Sequence, residues 1–287
     1  MRVVGFTFVR NGVIYDYPFI ESINSLLPLC DEVIVAVGRS DDNTLEQIRS
    51  LQSSKVRIIE TVWDDSLRKS GIILSQQTNL ALDQVIGDWA FYLQADEVLH
   101  EKDYPTIKNA MTLYQNMNEV EGLLFHYTHF YGSYKYIGDS RRWYRREIRI
   151  VRPSSKVRSW GDAQGFRIDG RKMCVKLIDA TIYHYGWVKR PDIQQVKQKY
   201  FNKLWHSDSW VDQHVGEIVE YDYCHGGRLK LFEGIHPAAM GERIHKQNWH
   251  FRYEQNKVQQ PLKEKLLDLI EVRYGWRIGE YKNYELI

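Results

Sequence analysis

The sequence predicts an α/β fold, a mostly parallel sheet flanked by helices with a mainly helical C-terminal extension, and three observations carry that reading. Short runs rich in Val, Ile and aromatic residues alternate with amphipathic stretches through the first half, the pattern of βα units. A hydrophobic share of 43% over 287 residues is ample for one large α/β domain plus an extension. From Arg190 onward the chain turns polar and helical in pattern.

Taken in order, strands are expected at Val3 to Val9, Glu32 to Val37, Val56 to Thr61 and Trp89 to Gln94. Amphipathic helices lie between them at Asp16 to Leu29, Asn43 to Leu51 and Gly71 to Ile86. A helix near Asp103 to Asn116 follows. The pattern then shifts to longer strands at Gly122 to Phe130, Glu147 to Val151 and Lys176 to His184, which read as antiparallel or mixed. Pro191 opens a helix through Trp205, and Pro261 another through Tyr274, because proline is preorganised for a first helical position. Residues 1–190 therefore read as the ligand-binding domain and 191–287 as the extension, on the acceptor side or packing against the core. No internal repeat or low-complexity tract interrupts them.

Basic and acidic residues nearly cancel, 39 against 37, so no global charge calls for a polyanionic partner. The run RRWYRREIRIVR (141–152) gathers six arginines that suit phosphate. Its alternation reads more simply as a strand with a solvated basic face, and no nucleic-acid-binding signature accompanies it. Cys30, Cys174 and Cys224 lack metal or disulfide spacing and are expected to be reduced core residues. The N-terminus reads as an immediate strand rather than a secretory signal, and no run approaches the ~20 apolar residues of a membrane span. A cytoplasmic protein, with peripheral membrane association open, is the expectation. Histidines near the C-terminus form no metal-ligand motif. Trp205, Trp210 and Trp249 read as helix anchors or as platforms for sugars.

The chemistry concentrates at strand ends. In DWAFYLQADEVLHE (88–101) an apolar strand stops at Gln94-Ala95-Asp96-Glu97. A carboxylate there faces the ligand edge of a parallel sheet and could hold a divalent cation that neutralises a diphosphate, although acidic residues also end strands or cap turns. VGRSDDNT (37–44) follows the second strand as a turn and N-cap cluster. Phe8-Val9-Arg10-Asn11 ends the first strand, and Thr78-Asn79 lies in the third helix.

This order of motifs, completed by ATIYHYGW (180–187), resembles family-2 glycosyltransferases over roughly the first 190 residues. The resemblance implies a Rossmann-like, glycosyltransferase A-type sheet that transfers sugar from a nucleoside-diphosphate sugar donor to a carbohydrate or lipid-linked acceptor, with inversion. It implies nucleotide contacts from Phe8, Arg10, Asn11 and Gln94, with Asp42 organising its loop. Asp96 and His184 would hold Mn²⁺ or Mg²⁺, acting as a Lewis acid on the leaving diphosphate. In SWGDAQGFRI (159–168), Asp162 is the candidate general base, while Gly161-Asp162 reads equally well as a hairpin turn. The sequence departs from the family at Gly38, where an acidic residue is common, and at Gln94, which replaces the first Asp of D-x-D and cannot supply charge. These departures keep a non-catalytic sugar- or nucleotide-binding relative open. A sugar-1-phosphate nucleotidyltransferase is a weaker rival, because TFVRNGV lacks a glycine-rich basic loop.

Overall fold

Strand β1 (Val3–Val9) leads through helix α1 (Phe19–Leu26) to β2 (Glu32–Gly38), and α2 (Thr44–Arg49) leads to β3 (Val56–Thr61). Helix α3 (Ile72–Leu82) then crosses back to β4 (Trp89–Tyr92). The computed structural model describes residues 1–64, 67, 71–215, 218–254 and 261–287. These four strands are parallel in the order β3-β2-β1-β4. The chain thus winds outward on one side of β1 and returns on the other, which opens a crevice between the ends of β1 and β4.

Burial explains the strand sequences. Trp89, Ala90, Phe91 and Tyr92 of β4 are all fully buried, their side chains alternating between two apolar clusters on opposite faces of the sheet. Burying each of the large ones contributes about 2–3 kcal/mol. Helix α1 starts three residues later than the pattern predicts, because the chain still turns at Asp16, a non-glycine residue with φ +47°, and Pro18 precedes the first helical residue. Strand β4 ends two residues early, where the backbone N–H of Gln94 leaves the ladder to donate to a Glu97 carboxylate oxygen at 3.0 Å.

The second half completes one mixed sheet and adds a separate two-stranded hairpin. In chain order come β5 (Glu97–Leu99), α4 (Tyr104–Tyr114), β6 (Gly122–Tyr131), β7 (Ser133–Gly138), β8 (Arg146–Val151), the hairpin β9 (Val157–Trp160) and β10 (Gly165–Ile168), and the long β11 (Met173–Trp187). Strand β8 joins β4 and β6 antiparallel, while β11 runs parallel to β6. The extension contains α5 (Pro191–Lys203), α6 (Asp208–His214), β12 (Leu229–Leu231), α7 (Gly241–His245), α8 (Leu262–Tyr274) and β13 (Tyr284–Leu286). It is less purely helical than its composition suggests. Strand β12 pairs with β7 and β13 with β11, so residues 191–287 share the main sheet.

Two expectations are corrected. The arginine run is not a solvated face: Arg149 is fully buried, while Arg141 and Arg145 pair with Glu271, and Arg145 also with Glu280. Of the cysteines only Cys30 is a core residue, its thiol pushed up to about 12 by burial, whereas Cys174 is half-buried and Cys224 exposed. Among the described residues no helix is long and apolar enough to cross a membrane.

Candidate active site

A cavity of about 340 Å³ opens at the crevice between β1 and β4. Phe8, Val9 and Arg10 reach it from the end of β1, Gln94, Ala95 and Asp96 from beyond β4, His184 from β11 and Asp162 from the β9–β10 turn. Six of the residues singled out in the sequence, Phe8, Arg10, Gln94, Asp96, Asp162 and His184, therefore line one space. Helix α5 closes the far wall with Lys197, Tyr200 and Phe201, and Leu204 and Trp205 continue it.

The two adjacent carboxylates of the QADE turn have different work. Glu97 points inward, is fully buried, and receives both arms of Arg149, with Nε to Oε2 at 2.8 Å and Nη2 to Oε1 at 2.7 Å. The Tyr127 hydroxyl donates to the same carboxylate at 2.8 Å. Asp96 points into the cavity instead. Its Oδ2 lies 3.7 Å from His184 Nε2 and 3.5 Å from Lys197 Nζ. Burial alone would raise the Asp96 carboxyl's pKa, but His184, Lys197 and Lys189 overcome it and hold the group well below the usual carboxylate range. The strand tip thus carries one acid to lock the turn and one to meet cations.

His184 is held by sheet register. It pairs with His129 across β11 and β6, and the two Nδ1 atoms are 3.1 Å apart. Burial, and then His184, push the His129 pKa well down, so that ring is neutral. His129 Nε2 faces the carbonyl of Tyr144 at 2.8 Å and must carry the proton, which makes Nδ1 an acceptor. His184 Nδ1 is then the donor, and its Nε2 is the atom turned to Asp96. Gly186 leaves room for this arrangement, since a Cβ there would stand 2.5 Å from Asp96 Oδ2.

Beside the site, Glu147 of β8 is buried, with Oε1 accepting from Gln164 Nε2 at 2.8 Å and Oε2 lacking a partner among the described residues. Burial raises its carboxyl to about 8. Between the ordinary carboxylate value and 8 the folded chain holds a proton that the unfolded chain releases, so this group makes stability fall as pH rises through that window. Glu147→Gln is therefore expected to stabilise the protein by about 2–5 kcal/mol at pH 8.5 and far less at pH 5. Urea midpoints measured at both pH values check this, and an equal difference at the two would refute it.

The remaining predicted residues form a latch. Asp42 Oδ2 accepts from the backbone N–H groups of Val13 at 3.0 Å and Ile14 at 2.8 Å, so it does organise the loop after β1. Asn11 does not contact the cavity: its side chain donates to Asp41 Oδ2 at 3.2 Å and accepts from Asp41 N–H at 2.8 Å. Both ends of the Asn11 amide engage Asp41, which ties the loop after β1 to the loop after β2. Gln94 Nε2 likewise donates to the Ala163 carbonyl at 3.2 Å, tying the end of β4 to the Asp162 turn. Asp162 is both turn and cavity residue: it is exposed, between Gly161 at φ +60° and Ala163 at φ +65°.

Trp63, just beyond β3, accounts for Gly38. A Cβ on Gly38 would lie 2.4 Å from the indole Nε1, so Trp63 fills the space that a side chain would need. Arg10 lies over the Trp63 ring at 5.5 Å, and Phe8 beside it at 6.0 Å. Trp63, Lys197 and Tyr200 escaped the sequence reading.

The residues do not fit a bound Mn²⁺ or Mg²⁺ well. Such hard cations take about six oxygen ligands, usually from more than one carboxylate or with phosphate and water. Here Asp96 and Asp162 are the lining carboxylates among the described residues, Glu97 is committed to Arg149, Gln94 is neutral, and a buried ammonium already stands beside Asp96 Oδ2. Among the described residues, the group of three ligand-type side chains is elsewhere, the exposed Asp222, Cys224 and His225.

The fold is a large mixed α/β sheet covered by helices, with its cavity at the winding reversal of a Rossmann-like half. No family model matches the chain, and no curated protein matches it. Solved structures that resemble it include S. aureus TarS, at 14% identity over 74% of this chain and 42% of that one, with a TM-score of 0.39. S. aureus TarS 1-349 in complex with UDP and with UDP-GlcNAc match at 14% identity, each over 75% of this chain and 70% of that one, with TM-scores of 0.39 and 0.40. The match spans less than half of the first structure's length.

Proposed function

We propose that the protein is a glycosyltransferase that moves a sugar from a nucleoside-diphosphate donor to a hydroxyl acceptor with inversion. The observation that supports this best is the meeting of Asp96, His184 and Lys197 in one cavity at the sheet's winding reversal, where a charged diphosphate would find cationic partners. Phe8, Arg10 and Trp63 frame the planar, nucleotide end. Asp162 and Trp205 flank the end towards the acceptor. The acceptor hydroxyl attacks the anomeric carbon and loses its proton to Asp162, while the bond from that carbon to the diphosphate oxygen breaks and the electron pair leaves with the diphosphate. A carbohydrate or lipid-linked acceptor fits this reading.

The test is release of nucleoside diphosphate from a panel of nucleoside-diphosphate sugars, with and without simple sugar acceptors. Release with at least one donor, lost in Asp96→Ala while the variant stays folded by circular dichroism, is the expected result. Absence of release from every donor, together with absence of nucleoside-diphosphate binding, would remove the proposal.

A further inference from the structure

We infer that the charge of the leaving diphosphate is met by the ammonium of Lys197, anchored by Asp96, in the place where a divalent cation would otherwise stand. The inference rests on the glycosyltransferase reading and specifies the chemistry of that site.

The geometry is built rather than incidental. Lys197 is 7% exposed, and it approaches the cavity from the first turns of α5. Its Nζ donates to the Gly186 carbonyl at 2.9 Å and lies 3.5 Å from Asp96 Oδ2. The rings of Tyr17 at 4.8 Å and Phe201 at 5.6 Å flank the ammonium. An ammonium carries three donors; the Gly186 carbonyl takes one and Asp96 stands at ion-pair distance, which leaves donor capacity for a ligand. Lys189 stands nearby, itself fully buried, donating to the Asp16 carbonyl at 2.8 Å over the same Tyr17 ring. Arg10 faces the cavity from β1. The site thus sets Lys197, Lys189 and Arg10 against two lining carboxylates, Asp96 and Asp162, of which Asp96 is paired with the Lys197 ammonium, and this is not the acid-rich set that a hard metal requires. A divalent ion bound at Asp96 Oδ2 would have to displace the ammonium or share its oxygen with it.

Burying an ionised lysine is costly unless it is paired, and Asp96 supplies the pair. Burial draws the Lys197 pKa down while Asp96 opposes it. Asp96 on this reading is a positioning residue for Lys197 and not a metal ligand.

The experiment measures the affinity of UDP, GDP, ADP, CDP and dTDP by calorimetry, for the unaltered protein and for Lys197→Met, each in EDTA and in Mn²⁺. The expected result is that whichever of these binds does so in EDTA within about twofold of its affinity in Mn²⁺. Lys197→Met should then weaken that binding by about 10- to 100-fold, the range that a hydrogen bond to a charged group contributes. Binding by the unaltered protein that is more than tenfold weaker in EDTA overturns the inference and leaves the glycosyltransferase reading standing. Lys197→Met that binds as tightly as the parent in EDTA also overturns it. Binding of none of the five in either condition overturns both. Should Lys197→Met fail to fold, the EDTA comparison on the unaltered protein decides alone.

Discussion

Replacing Arg149 with Met is expected to lower stability by about 3–5 kcal/mol, the largest loss from any single substitution considered for this chain. The guanidinium and the Glu97 carboxylate are both fully buried and meet through two hydrogen bonds. Arg149 also donates to the Gln164 carbonyl at 2.8 Å and lies between the Tyr92 and Tyr127 rings, 5.2 and 5.3 Å from their centroids. Taking it away strands a carboxylate in the core, where an unpaired charge must either take up a proton or open the structure to water. At roughly 2–4 °C per kcal/mol for a domain of this size, the melting point should fall by about 10 °C. The double variant Glu97→Gln with Arg149→Met should recover much of the loss, because it removes both charges together. A melting point within 2 °C of the parent in Arg149→Met would show that the pair does not hold the QADE turn.

That pair also shows where the sequence was legible and where it was not. The parallel half could be read because its signal is local: β1 and β2 are nearly continuous apolar runs, β3 is a shorter β-branched run, and their edges fell where Gly, Asn and Asp end the pattern. Arg149 was misread because alternation in a strand reveals two faces but not which of them faces solvent. Strand β8 feeds two apolar clusters, Ile150 one and Ile148 and Val151 the other, and its polar positions Glu147 and Arg149 are buried too. Asp96 and His184 were placed together from motif order, and the β5–β11 pairing supplies the reason: His184 registers opposite Glu97, the residue next to Asp96. The pairing of Asn11 with Asp41 left no trace in the sequence, because a loop residue's partner is set by the neighbouring loop, which no periodicity encodes.

Lys197 left a faint trace. Positions 197, 200, 201, 204 and 205 follow the i, i+3, i+4, i+7, i+8 spacing of a buried helix face, and all five line the cavity. Four are Tyr, Phe, Leu and Trp, and the first is Lys. A lysine leading an otherwise apolar stripe must either reach to solvent or find a carboxylate, and here it finds Asp96.

Asp162→Asn is expected to slow sugar transfer by about 10²- to 10⁴-fold while leaving nucleoside-diphosphate affinity within about twofold and the melting point nearly unchanged. The cavity is lined by two carboxylates among the described residues, Asp96 and Asp162. Asp96 stands beside the Lys197 ammonium and is held well below the usual carboxylate range, so it is a poor proton acceptor. Asp162 is exposed at a hairpin turn that Gln94 ties to the end of β4 through the Ala163 carbonyl, which fixes the turn without consuming the carboxylate. Asn suits the same turn and keeps the side chain's shape, so loss of rate with binding and folding intact would isolate proton removal as the missing step. If Asp162→Asn turned over at the parental rate, the turn would be only a turn. The base would then have to come from outside the two carboxylates that this cavity holds.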